Sequence, residues 1–207
     1  LINLTKNIKM KITLIVIVNL ILTTCFGQQF EGEIIYQNSY KSNTQETSSE
    51  YLNQLFGNKH TYQIKNENYK LSANGKLLQW QIFVAQENKI YTKLAAGKKL
   101  AIKKLDKDDE KVKTVEVNRK SLTILNHLCD EFIVYCENST QKYYIDSNLN
   151  ISSDIFEKSK FNHHLAFLLK NQILPFKMII EDEMGICESI AIEIKEEKIN
   201  DTIFEIK

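Results

Sequence analysis

His127 and Cys129 stand two residues apart in "NHLCDEF". That spacing puts both side chains on one face of a strand, and a thiol beside an imidazole is the raw material of a nucleophilic site. Such a site also needs a group to orient the imidazole and donors for an oxyanion, so the pair reads as a half-buried cysteine opening a strand. His163 and His164 are adjacent in a helical pattern and diverge by about 100°, whereas helical zinc ligands want three- or four-residue spacing. They read as solvated or hydrogen-bonded histidines. "LDKDDEKVK", from Leu105 to Lys113, clusters carboxylates without the alternating ligands and glycine turn of a calcium loop, and reads as a solvated hairpin tip. "ANGK" and "AAGK" lack the Gly-Lys-Ser/Thr ending of a phosphate loop. No catalytic, metal or cofactor constellation can be assembled, and a non-enzymatic protein is expected.

The chain has 207 residues, net charge +1, one proline and six glycines. Interspersed Lys and Glu offer no basic patch for nucleic acid, and scarce Gly and Pro argue against linkers. Short alternating runs dominate: "FEGEIIYQ", "HTYQIK", "NYKLS", "QWQIFVA", "IYTKL", "KLAIKKL", "KTVEVN", "CDEFIVYC" and "QKYYID". With turns between them, they predict an antiparallel meander with one apolar and one polar face. Two segments depart from that period. "TQETSSEYLNQLFGN" carries a Thr/Ser cap, Glu50 in the first turn, apolar Leu52, Leu55 and Phe56, and Gly57 as a stop. "SSDIFEKSKFNHHLAFLLKNQILP" spaces Ile155, Phe156, Phe161, Leu165, Leu168 and Leu169 helically before Pro175. Strands resume at "FKMIIEDEMG", "ICESIAIEIKEEKI", with Ile190, Ile192 and Ile194 on one face, and "DTIFEI".

Met10-Lys11 followed by "ITLIVIVNLIL" has the layout of a signal peptide, its apolar run being shorter than the ~20 residues of a spanning helix. Residues 1–27 are therefore expected to precede a single domain at 28–207, with Met10 as the natural start. Ordinary cleavage after Gly27 would leave Gln28 first, in the periplasm or secreted. The alternative is an outer-membrane lipoprotein anchored at Cys25, although Thr24 stands where a small residue is wanted. Without Cys25, three cysteines remain. Cys129 and Cys136 lie on opposite faces of one strand, so a bridge would join Cys187 to one of them; otherwise all three stay as buried thiols.

An exported domain that opens with "FEGEIIY" and closes with "INDTIFEIK" resembles the LolA/LolB lipoprotein-carrier superfamily, above all its uncharacterised Gram-negative periplasmic relatives. The similarity extends through "LTILNHLCDEF", where Asn126 replaces the glycine of an I-L-G-x-x-C stretch, then "YYID", "LPFKMII" and the closing D-x-x-F. The resemblance implies an α+β, mostly β fold: a strongly curved antiparallel sheet, an unclosed half-barrel, with one or two short helical segments capping its concave side. It also implies a concavity for acyl chains. The cavity arginines of the carriers have no counterpart, because the single arginine, Arg119, follows "TVEVN" and is expected in a loop.

Within such a fold, Tyr36, Tyr62, Tyr69, Trp80, Ile82, Val84, Phe132 and Val134 fall on apolar strand faces and are the candidate lining of a hydrophobic cavity. Apolar residues in these positions make either core or pocket. The expected function is binding of an acyl chain, lipid or lipidated peptide. The alternative is an envelope protein–protein module that uses the sheet face or an edge strand.

Overall fold

Period-two alternation does form strands along most of the chain, and each strand pairs with a neighbour in sequence except at one point. The computed structural model describes residues 30–44, 47–95, 99–105, 111–157 and 164–206. The signal-like segment, Cys25, most of the acidic tip after Leu105, "AGK" at 96–98 and His163 lie outside them. Eleven antiparallel strands make one unclosed sheet. They are β1 (Gly32–Ser42), β2 (Lys59–Lys65), β3 (Asn68–Ala73), β4 (Leu78–Val84), β5 (Lys89–Leu94), β6 (Ala101–Lys104), β7 (Val112–Ile124), β8 (His127–Cys136), β9 (Thr140–Asp146), β10 (Pro175–Glu181) and β11 (Gly185–Glu196). Their order is β6-β5-β4-β3-β2-β1-β11-β10-β9-β8-β7, so the first and last strands meet in the middle.

Three helices interrupt the meander: α1 (Ser49–Phe56), α2 (Asp154–Glu157) and α3 (His164–Lys170). Within the second segment expected to be helical, the described residues include α2 and α3. "DTIFEI" is no strand; Asp201–Phe204 is a 3₁₀ turn capped by the Asn200 side chain.

One apolar cluster spans the inner face. It runs from Ile90 and Leu105, beside one sheet edge, through Ile34 and Tyr62 to Phe132 and Val134 near the other. Phe156, Ala166, Leu168, Leu169 and Ile173 from the helical segment belong to the same cluster. A flat sheet of eleven strands would be about 50 Å wide. A single core that reaches both ends therefore requires the sheet to wrap around that segment. A second, smaller cluster of Ile124, Cys129, Tyr144 and Phe176 lies apart from it.

Local chemistry sets the turns. Leu125 and Asn126 adopt φ of +48° and +66° between paired Ile124 and His127, the two-residue hairpin that needs left-handed residues. Asn126 suits that conformation, since its short polar side chain tolerates the left-handed region. A register break opposite Ile35 and Tyr36 inserts an extra residue into β11. It turns Ala191 into the core and leaves Ile192 48% exposed, so Ile190, Ile192 and Ile194 do not share one face. Arg119 sits within β7 rather than in a loop. Its Nη1 donates to Asp130 Oδ2 at 2.6 Å and its Nη2 to the Ile151 carbonyl at 3.0 Å, tying the helical segment to the sheet.

Candidate functional site

The expected cavity residues divide between the two faces. Tyr36, Tyr62 and Tyr69 form an edge-on aromatic ladder across β1, β2 and β3, with successive ring centres 5.5 Å apart. Phe132 and Val134 are buried on the same inner face. Phe156 fills the space over them, 5.2 Å from Phe132 and 5.5 Å from Tyr143. These five residues are packed core, and Tyr36 Oη donates to the Pro175 carbonyl at 2.6 Å. Trp80, Ile82 and Val84 are on the opposite face. Phe83 pairs with inward Tyr69 and Ile90, whereas Ile82 opposes Lys70 and Trp80 opposes Ser72. Ile82, Phe83 and Val84 are three consecutive apolar residues, so alternation alone leaves their phase open; pairing with β3 decides it.

Among the described residues, neither bridge expected for Cys187 forms. β9 and β10 separate Cys187 on β11 from Cys129 and Cys136 on β8, a gap of three strand spacings or about 14 Å. Neither expected bridge can close across that distance.

Cys129 and His127 also do not combine. His127 Nδ1 bonds Asp146 Oδ2 at 2.7 Å, while the Cys129 thiol donates to the His127 carbonyl at 3.4 Å. Burial, then the Asp146 charge, pushes that thiol up to about 11. It is an inert cysteine under a His–Asp pair, beside a cavity of about 680 Å³ with mixed apolar and acidic walls.

A more uniformly apolar cavity lies under α1. Ser48 caps the helix, its Oγ accepting from Tyr51 N at 3.1 Å, and Ser42 N donates to Ser49 Oγ, which ties the first turn to β1. At the far end Gly57 turns the chain at φ +86°. Lys76 N and Leu77 N donate to the carbonyls of Gln54 and Leu55, both at 2.8 Å, and His60 Nε2 bonds the Phe56 carbonyl at 2.9 Å. The orphan carbonyls of the last turn are thereby satisfied by the β3–β4 turn and β2. A Cβ on Gly75 would overlap the Leu55 carbonyl, so only glycine admits this approach.

Held at both ends, α1 directs Leu52 and Phe56 toward Tyr40, Ile180, Ile186 and Cys187 at the ends of β1, β10 and β11. They enclose a cavity of about 380 Å³. Phe56 lies 5.8 Å from Tyr40. Met184, 69% exposed, and Ile180, 37% exposed, form its open rim. Burial, reinforced by Cys187, raises the Tyr40 hydroxyl far above the ordinary tyrosine range, and burial raises the Cys187 thiol, so both are neutral near pH 7.

Leu52 and Phe56 were legible as the apolar stripe of a lid. Tyr40 continues the inward alternation of Ile34 and Tyr36, a signal available in the sequence. Ile180, Met184 and Ile186 come from a hairpin whose closeness to α1 no local pattern shows.

Among the described residues, no group of three His, Cys, Asp or Glu side chains is placed to hold a metal ion. No helix among them is long and apolar enough to cross a membrane. No family model matches the chain and no curated protein matches it. A solved structure of PNGF-II aligns at a TM-score of 0.44 and 12% identity over 83% of this chain. The alignment covers 29% of the PNGF-II chain, and a likeness at this level carries no functional argument.

Proposed function

We propose that the protein is an exported, non-enzymatic binder of a hydrophobic ligand, an acyl chain or a similar apolar group, held between α1 and the ends of β1, β10 and β11. The apolar cavity of about 380 Å³ with exposed Met184 and Ile180 at its rim carries this reading. Its size lies in the range of small-molecule sites, and its lining favours apolar burial worth about 0.8 kcal/mol per methylene. Export rests on the pattern of Met10–Gly27, with periplasmic or secreted release after Gly27 favoured over anchoring at Cys25. The similarity to lipoprotein carriers agrees in ligand class, although the ligand here lies beside a filled core.

Recruitment of an envelope partner on a sheet edge would use β6 or β7. β7 breaks register between Asn118 and Leu122 and carries Lys113, Arg119 and Lys120. Such features discourage strand addition, so the cavity is the better-supported site.

The test is titration with a dansyl-labelled undecanoate. Met184→Lys and Ile180→Lys alter exposed rim residues, so each should leave folding within about 0.5 kcal/mol of the parent. Each should weaken probe binding about tenfold or more. Binding that is absent, or unchanged in both variants, removes the proposal. Mass spectrometry of protein from its native envelope tests export separately: a chain starting at Gln28 supports release, and a diacylated Cys25 supports anchoring.

A further inference from the structure

Among the described residues, the apolar cavity under α1 has one charged side chain on its wall. That residue is Asp182, in the β10–β11 turn beside Met184. Thr44 and Thr47 are the other polar lining, together with Tyr40 and Cys187, both neutral near pH 7. Its own turn fixes the Asp182 carboxylate at the rim. Oδ1 accepts from Met184 N at 2.8 Å and from Gly185 N at 3.1 Å. Asn43 Nδ2 donates to the Asp182 carbonyl at 3.4 Å, which joins the turn to the end of β1. The second carboxylate oxygen, Oδ2, has no partner among the described residues.

The charges around this rim share one sign. Glu181 and Glu183 flank Asp182 in the chain, and no lysine or arginine lines the cavity among the described residues. Lys41 follows inward-facing Tyr40 and so alternates to the other face of β1. Lys177 is engaged by Glu188 at 2.9 Å. A free fatty acid would bring its carboxylate to a mouth that repels it and supplies no cation. A hydroxyl head would find acceptors there. An ammonium would find the open oxygen of Asp182, the partner for a charge-assisted hydrogen bond, while its chain lies on Leu52, Phe56, Ile180 and Ile186.

We propose that the cavity selects an apolar chain bearing a cationic head, a primary ammonium, and that Asp182 is the residue that sets this preference. The inference rests on the apolar cavity as the ligand site and adds the sign of the ligand's charge.

The experiment displaces dansyl-undecanoate from the full chain at pH 7.5 with decylamine, decanol and decanoate, which share a chain length and differ in head. At this pH the amine is cationic and the acid anionic, and the probe itself is held by its chain and ring. The amine should displace the probe at a concentration about fivefold below that of the alcohol, and the alcohol below that of the acid. Asp182→Asn keeps the Oδ1 that accepts from Met184 and Gly185. The alcohol should therefore displace the probe from this variant as before, while the amine loses its advantage. Asp182→Ser, whose hydroxyl serves the same kind of turn, gives the reading if the amide variant misfolds. Equal potency of the three competitors, a preference for decanoate, or an amine advantage that survives in the folded variant overturns the headgroup assignment and leaves the cavity standing. If neither the probe nor any competitor binds, the cavity fails as the ligand site and the proposal falls with it.

Discussion

Phe156→Ala tests whether the sheet's concavity is filled by the protein's own chain. Phe156 is fully buried and its ring meets Phe132 and Tyr143 from above. A buried phenylalanine removes about 200 Å² from water, or about 5 kcal/mol at ~25 cal/mol per Å². Alanine keeps part of that burial and the unfolded chain already hides some of the rest, leaving an expected loss of about 3–4 kcal/mol. In a domain of this size each kcal/mol moves the midpoint by about 2–4 °C, so the melting temperature should fall by about 10 °C. The vacated volume would be walled by Phe132, Tyr143 and aliphatic residues, the kind of cavity that stays dry and accepts an aromatic molecule. Toluene at ten times its dissociation constant should then return about 1.4 kcal/mol to the variant and nothing to the parent. The assay is urea denaturation of both proteins with and without toluene. A loss below about 1 kcal/mol together with no toluene effect would refute the filled core and return the ligand site to the centre of the sheet.

Three further outcomes follow from particular contacts. Trp80→Ala should leave dansyl-undecanoate binding unchanged, because Trp80 is on the outer face; a weakened titration would contradict the strand phase set by β3. Arg119→Met should cost about 2 kcal/mol in urea denaturation, since it leaves Asp130, whose side chain is 4% exposed, with the Lys120 N–H but without its cation, though Arg119 itself is half exposed and the pair partly screened. Adding Asp130→Asn should recover part of that loss, and no recovery would mean the pair is incidental. His60 is half-buried against the end of α1, and loss of solvent lowers its pKa from 6.5 despite the opposing bond to the Phe56 carbonyl. Its neutral form therefore contributes stability present above about pH 6.5, which declines as the unfolded chain takes up the proton first. Denaturation midpoints should fall between pH 7 and pH 5, and His60→Gln should flatten that slope.

The fold was readable wherever one face of a strand meets core and the other water, because burial on one side imprints a period of two. Eleven strands, and a helix capped by a Thr or Ser and stopped at Gly57, needed no more than that pattern and local capping chemistry; the structure makes Ser48 the cap. Where the imprint is absent the reading failed. Ile82-Phe83-Val84 carries no phase, an inserted residue reverses Ala191 and Ile192, and Asp201–Phe204 alternates without pairing. Asp146, which orients His127, lies on the next strand, so the sequence near "NHLCDEF" could not show it.

By itself, the sequence determined which residues become strands and turns and what chemistry they can offer, since these depend on neighbours a few residues away. Which apolar faces become core and which remain open was decided only by tertiary structure. The helical segment after Ser147 fills the centre with Phe156 and Leu168, while α1, pinned by Gly75 and His60, stands over Ile180 and Ile186 from a hairpin more than a hundred residues away. A cavity is the space left between surfaces brought together from distant parts of the chain, and no local pattern encodes it.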